Sequence, residues 1–330
     1  MEVPCVRVRR ADGERARSAL DAADCLDRDH EIVVDGALYV PVADPDAALA
    51  ALPGDLAATI VERSVPARET QTTPADLVGF EPSYERVGDV AVIDEDDPDR
   101  ARALADAIVD SDIPLGTVLN RASKVKGTHR VRDWEVIAGS GTETVHREYG
   151  CAYAVDLASV YFSPRLATER HRVAEQVEEG EQAVDMFAGV GPFVIPFAKR
   201  GATAVGVDIN PDAVVYMRAN AERNGVTDRV TAIEGDVRTV AADYGDWADR
   251  IVMNLPHSAE EFLDAAVEIA GETCTLHYYD IQPETDPFAP GEAAVRAAAD
   301  GYDVMVVTRR EVRSYSPEEV NVCLDLRLER

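Results

Sequence analysis

Downstream of residue 182 the chain alternates short apolar runs with stretches of helical periodicity. The runs are AVDMFAG (183–189), ATAVGVDI (202–209), VTAIEGD (230–236), RIVMNLP (250–256) and CTLHYYDI (274–281). Regular strand–helix alternation of this kind predicts an α/β architecture with a doubly wound parallel sheet. The beat breaks at the end of the chain. There YDVMVVTRR (302–310) and VNVCLDLRLE (320–329) follow one another with no helical stretch between them, so an antiparallel hairpin should close the sheet.

Upstream, the pattern predicts two smaller α+β domains. In the first, residues 1–67, a helical stretch GERARSALDAADCL precedes EIVVDGALYVPV, two apolar runs around Asp35-Gly36 that signal a hairpin. The polar stretch RETQTTPADL (68–77) reads as a linker. Residues 78–174 then mix strands at DVAVID and EYGCAYAVDLASVYF with a helix near DRARALADAIVDS. SPRLATERHRVAEQV reads as a helix leading into the third domain, residues 175–330.

Composition changes this picture in two respects. The net charge of −29 over 330 residues argues at first against a nucleic-acid partner, because phosphate contacts dominate that affinity. Yet only three lysines (Lys124, Lys126, Lys199) stand against thirty arginines. Abundant carboxylates with almost no lysine are expected of a surface bathed in molar salt, where the Debye length is about 3 Å and self-repulsion is screened. The acidity therefore reports habitat, a salt-adapted cytoplasm, more than partner. Local charge points the other way: residues 121–172 hold nine Lys/Arg against six acids, including two of the three lysines. That excess predicts an anionic partner. No apolar run reaches the roughly 18 residues of a membrane span, and the five scattered cysteines form no CxxC pair, so neither a membrane protein, a zinc ribbon nor a disulfide scaffold is expected.

Chemistry concentrates at the predicted strand ends. Asp185-Met-Phe-Ala-Gly-Val-Gly-Pro-Phe193 places Gly189 and Gly191 where backbone can approach a ligand, with Pro192 suited to a helix start. The third glycine of a dinucleotide-binding GxGxxG is missing. Asp208 ends the second strand, where an acid can accept ribose hydroxyls, and Asp236 ends the third, where a carboxylate can accept an adenine amino group. With the hairpin ending, this set resembles the class I (Rossmann-like) methyltransferase fold that binds S-adenosylmethionine (AdoMet), with Phe187, Ile209 and Val237 beside these residues as further cofactor contacts. The fourth strand ends in Asn254-Leu255-Pro256-His257, which resembles the [ND]-P-P-[YF] motifs of enzymes that methylate nitrogen on planar groups but departs from them at Leu255 and His257.

A more specific resemblance follows. KVKGTHRVRDWEVIAG (124–139), HREYGCAYAVDLASVYFSPRLATERHR (146–172), DMFAGVGPF and NLPH together resemble the archaeal tRNA (guanine-37 N1)-methyltransferase family over nearly the whole chain. The resemblance implies a cytoplasmic, monomeric enzyme. Its middle and catalytic domains grip the tRNA anticodon stem-loop, and its N-terminal domain checks the outer corner. Guanine N1 carries a proton at neutral pH, so the reaction needs a general base and a cation for the charge developing on O6. By resemblance Glu169 is the base, Arg130 the cation near O6 and Asn254 the base-orienting amide. A carboxylate is an effective base there only if its proton affinity is raised, for example by desolvation. Arg170 is implied to contact AdoMet, while Tyr161, Arg165, Pro256 and His257 line the substrate region; no metal is implied. Arg132 competes with Arg130, since both share a face if this stretch is a strand. Two other readings stay open: a wyosine-pathway enzyme acting on phenylalanine tRNA by methylation or aminocarboxypropyl transfer, and a non-catalytic RNA-binding module on the same fold.

Overall fold

The structure is a computed structural model in which residues 2–68 and 71–330 are described. It divides into two units, Met1–Thr72 and Thr73–Arg330. The first is built from β1 (Glu2–Val8), α1 (Gly13–Ala22), β2 (Val33–Asp35), β3 (Ala37–Pro41), α2 (Pro45–Ala51) and β4 (Thr59–Ser64), with sheet order β2-β3-β1-β4. The expected hairpin turns at Gly36, whose φ of +68° lies in the left-handed region that glycine enters without a Cβ penalty. Val6, Val8, Leu20 and Val40 form its core.

The second unit opens with a short helix inside the stretch that reads as a linker. α3 (Pro74–Val78) is held by a reciprocal cap in which Thr73 and Asp76 satisfy each other's backbone N–H groups. Residues 69 and 70 of that stretch lie outside the described residues. β5 (Glu85–Val87), β6 (Val90–Ile93), β7 (Thr117–Arg121) and β8 (Trp134–Ala138) make a four-stranded sheet in that order, with α4 (Pro98–Asp110) joining β6 to β7. β9 (Glu143–Glu148) and β10 (Cys151–Asp156) form a separate hairpin. EYGCAYAVDLASVYF is therefore not one strand. It starts on the last residue of β9, passes through the Tyr149-Gly150 turn, where both residues have positive φ, and runs out into loop after Asp156.

The remaining elements are α5 (Ala167–Ala174), β11 (Gln182–Asp185), α6 (Val194–Lys199), β12 (Thr203–Asp208), α7 (Pro211–Arg223), β13 (Val230–Glu234), α8 (Val237–Val240), β14 (Ala248–Met253), α9 (Leu263–Ile269), β15 (Ala270–Pro283), α10 (Ala289–Ala298), β16 (Asp303–Ser314) and β17 (Glu319–Glu329). Seven strands form one sheet in the order β13-β12-β11-β14-β15-β17-β16. β17 runs antiparallel to both its neighbours, as the loss of the helical beat predicts. The order reverses between β11 and β14, and that switch point leaves a crevice at the strands' carboxyl ends.

The boundary expected near residue 174 falls inside a shared core. Val90 and Leu119 of the smaller sheet, Tyr153 of the hairpin, Val173 of α5 and Phe193 and Phe197 beside β11 all belong to one buried cluster. Burial of each such side chain contributes about 1.5–3 kcal/mol, so these layers are held as a unit. The free edge of β10 is paired without a strand. Asn220 of α7 and Asn224, which caps its C-terminus, accept from the N–H groups of Ala154 and Ala152 and donate to their carbonyls. All five cysteines are buried free thiols, and no described helix is long and apolar enough to cross a membrane.

Candidate active site

A cavity of about 190 Å3 opens at the switch point. It is lined by Phe187, Gly189, Asp208, Ile209, Asp236, Val237, Asn254, Arg130 and Tyr161, so residues scattered over more than a hundred positions converge here. Asp208, at the end of β12, has its carboxylate aimed by two backbone donors: Gly189 N at 2.6 Å and Asn210 N at 2.8 Å. A carboxylate has about four acceptor positions, so two remain, one for each hydroxyl of a ribose. Burial pushes the Asp208 carboxyl above its ordinary pKa, and the two N–H groups and nearby His129 pull it part of the way back.

The glycines divide their labour. Gly189 has φ +52°, and the nearest atom to an added Cβ is the Tyr161 carbonyl oxygen at 3.9 Å, so its missing side chain leaves open space while its N–H is held by Asp208. Gly191 (φ +89°) does not line the cavity; a Cβ there would press on Met217 at 3.0 Å and Ile195 at 3.3 Å. Its role is turn geometry and helix packing. Ile209 is 46% exposed, an apolar side chain at the cavity wall with Val237 and Phe262 also lining the site. Such a wall fits the face of a purine. The donor set, an acid for a ribose and apolar walls for a base, therefore fits the adenosine of AdoMet. Asp236 is less free than the sequence suggests. It caps α8 through Arg238 N, and the Arg238 guanidinium grips both its oxygens, holding the carboxyl below its usual range. Arg238 also lies 4.8 Å over the Phe262 ring.

Next to this cavity is a larger one of about 780 Å3, and the two share Thr128, Arg130, Tyr161 and Leu255 in their walls. Thr128 and Arg130 of that shared wall come from residues 122–133, which form a loop rather than a strand, pinched by a Lys126–Val131 bridge. Arg130 sits in this loop with φ +55°, so it and Arg132 do not share a strand face. Instead Arg130 lies 5.2 Å over the Tyr161 ring and lines both cavities, while Arg132 lies 5.4 Å over Trp134 and lines only the larger. Arg165 and His257 line the larger cavity as well, and Tyr315 meets His257 Nε2 at 3.1 Å. Among the described residues neither Arg130, Arg132 nor Arg313 has a carboxylate within ion-pair distance, and the buried Nε of Arg313 has no partner at all. Burial, with Arg121 close by, pushes the Arg132 guanidinium below its ordinary pKa. A cavity with this many uncompensated cations, in a chain of net charge −29, suits a polyanion.

Glu169, Arg170 and Pro256 line neither cavity. Pro256 is buried, and its carbonyl accepts from Ile281 N. Arg170 is buried in a two-pronged pair with Glu148, at 2.7 and 2.6 Å, and donates to the Ser163 carbonyl. Glu169 is 3% exposed, and both its oxygens are occupied. Arg172 Nε and Nη2 donate at 2.9 and 2.7 Å, Arg310 Nε lies at 3.0 Å and the Tyr279 hydroxyl donates at 3.0 Å.

Several residues in this site were not legible from the sequence. His129 and Thr128 flank the quoted Arg130, and their loop could have signalled them. Arg238 stands two residues after Asp236. Arg310, Arg313 and Tyr315 carry no local signal, because only the antiparallel return of β16 and β17 brings them near residues 121–169.

The switch-point cavity on this sheet order defines a class I methyltransferase. Residues 144–307 match the TRM5/TYW2 methyltransferase domain, 70–142 the TYW2 N-terminal domain and 5–50 the tRNA methyltransferase 5 N-terminal domain. The tRNA (guanine(37)-N(1))-methyltransferase Trm5b of Pyrococcus abyssi is 37% identical to this chain, with 98% of each covered. The crystal structure of that Trm5b matches with a TM-score of 0.74 at 35% identity, over 99% of this chain and 100% of its own. A complex of aTrm5 with tRNALeu matches with a TM-score of 0.70 at 31% identity, over 99% of both chains. TYW2 of Methanocaldococcus jannaschii, solved with AdoMet, matches with a TM-score of 0.61 at 28% identity, over 75% of this chain and 100% of its own. The chain belongs to the TRM5/TYW2 methyltransferase family.

Proposed function

We propose that the protein transfers the methyl group of AdoMet to N1 of guanosine 37 in tRNA. The observation that carries this reading is the shared wall. An adenosine-shaped cavity and an arginine-lined cavity meet at Arg130, Tyr161 and Leu255, so a nucleotide drawn in from a polyanion reaches the cofactor there. AdoMet supplies an electrophilic methyl group on its sulfonium. The chain's own residues do the rest. Asn254, which lines the cofactor cavity at the end of β14, orients the guanine edge. Arg130 holds the negative charge that develops on O6, an effect worth about 3–4 kcal/mol when such a donor is preorganised. Glu169 accepts the N1 proton. Both its oxygens are engaged in this structure, so the reaction requires one to be released. Arg310 is the partner free to move, because its side chain is 44% exposed while that of Arg172 is 20% exposed.

Residues 78–174 and 175–330 together grip the anticodon stem-loop, and residues 1–67 contact the outer corner of the tRNA. The match of residues 5–50 to the tRNA methyltransferase 5 N-terminal domain, and the 98% coverage by Trm5b against 75% by TYW2, favour guanine methylation over a wyosine-pathway reaction. The protein acts as a monomer in a salt-rich cytoplasm, where KCl screens the repulsion between its acidic surface and tRNA.

The test is incubation in high KCl with AdoMet and two unmodified tRNA transcripts, bearing G or A at position 37, followed by digestion to nucleosides and mass spectrometry. N1-methylguanosine from the G transcript alone is expected. No methylated nucleoside from either, with AdoMet bound, would overturn the reading.

A further inference from the structure

Behind Glu169 runs a chain of buried charged and polar side chains that the methyl-transfer chemistry above does not use. Glu181 grips the Arg250 guanidinium with both oxygens, at 2.7 and 3.0 Å, and Arg250 Nη1 lies 2.8 Å from His277 Nε2. His277 Nδ1 lies 2.6 Å from Asp325 Oδ1. Asp325 in turn accepts from Arg172 Nη1 at 2.6 Å and Nη2 at 3.1 Å, and Arg172 turns its other edge to Glu169. Arg250, His277, Asp325 and Glu169 are all at most 4% exposed.

The hydrogen bonds in this chain permit only one arrangement of protons. Arg250 can only donate, so Nε2 of His277 must accept, and Nδ1 must then carry the proton that it gives to Asp325. Burial pushes the His277 pKa down, only partly opposed by Asp325, so the ring is neutral and this tautomer is the one that persists. Burial pushes the Asp325 carboxyl up, but the hydrogen bonds from His277 and Arg172 outweigh it and hold Asp325 ionised, well below the usual carboxylate range. His277, Cys323 and Asp325 bring three potential metal ligands within 4.8 Å of one another, but guanidinium groups already occupy their donor atoms. A buried ionic chain is poor value for stability alone, since apolar side chains of equal volume do as well or better. What it does provide is direction: the chain runs from Glu181 through Arg250, His277, Asp325 and Arg172 to Glu169, with Gln176 bonded to both Arg250 and Asp325.

We propose that His277 and Asp325 are positioning residues for the reaction, fixing Arg172 so that it sets the plane of the Glu169 carboxylate. The inference rests on the reading of Glu169 as the base. The charged and titratable groups facing Glu169 are Arg172 on α5, Tyr279 on β15, Arg310 on β16, and Cys323 with Asp325 on β17. Substituting Asp325 by Asn removes the nearest anion that shares Arg172, so Glu169 becomes both less well aimed and a weaker base.

The experiment measures kcat, KM for tRNA and the pH dependence of the single-turnover rate in high KCl for Asp325→Asn, Arg172→Lys and Glu169→Gln. The first is expected to lower kcat about 10–100-fold, the usual reach of an outer positioning partner, with KM within about 2-fold, and to move the acid limb of the profile to lower pH. Arg172→Lys keeps the charge but cannot span two carboxylates, so its kcat should fall with KM unchanged; it decides the matter if Asp325→Asn does not fold. Parent-like kcat in a folded variant, or an equal loss in kcat and tRNA affinity with the acid limb unmoved, would overturn the positioning role. Full turnover by Glu169→Gln would remove the underlying base assignment instead, whatever the other two variants do.

Discussion

Asp208 and Glu169 are both partly or fully buried acids in the same unit, yet their surroundings differ in kind. Asp208 is aimed by two backbone N–H groups that cannot move, and its remaining acceptor positions face a cavity. Glu169 is surrounded by side chains, two guanidiniums and a phenol, and faces neither cavity. The first is a site completed by the fold and ready for a ligand. The second is an acid whose use depends on moving a partner. On the function proposed above, binding is built into backbone at the strand ends, while chemistry is placed in a network that substrate must disturb.

That contrast can be broken at its binding end first. Asp208→Ala removes two hydrogen bonds to the ribose, each worth about 1.5–3 kcal/mol for a charged acceptor, so AdoMet affinity measured by calorimetry should fall about 100- to 10,000-fold. Unchanged affinity would mean that the backbone alone makes the site.

A smaller effect sharpens the same comparison. Asp185, fully buried one strand over, accepts a single backbone N–H from Phe187, and burial pushes its pKa up to about 7 from 3.8. A carboxyl raised in the folded state binds its proton there when the unfolded chain has lost it, so stability falls as pH climbs from about 4 to 7. Asp185→Asn abolishes that loss. Relative to the parent it should gain little near pH 4 and up to about 4 kcal/mol by pH 7, at about 1.36 kcal/mol per unit, as read by chemical unfolding of the AdoMet-free protein. A pH-independent difference would show that Asp185 is ionised in the fold.

The sheet was legible because its strands are apolar runs with helical stretches between them, and the loss of that beat after residue 302 announced the hairpin. Asp208 and Gly189 were legible for a related reason: strand ends have a fixed place in a doubly wound fold. Side-chain engagement was not. Helical spacing allows the Glu169–Arg172 pair, but nothing in the local sequence says that Arg310 also occupies Glu169 or that Asn220 and Asn224 pair the edge of β10. The longest of those contacts joins residues 141 positions apart (Glu169 and Arg310), set by topology rather than by periodicity. The loop at 122–133 escaped for a different reason, because a positive φ at Arg130, a residue with a Cβ, has no compositional signature.

The central claim, that Glu169 leaves its partner to take the N1 proton, is tested most directly by a structure of the protein with tRNA and the demethylated cofactor product. The account predicts the Glu169 carboxylate about 2.6–3.2 Å from N1 of guanosine 37, with Arg310 turned away and the Arg172–Asp325 pair intact. Another side chain at N1, with Glu169 still held by both arginines, would contradict it.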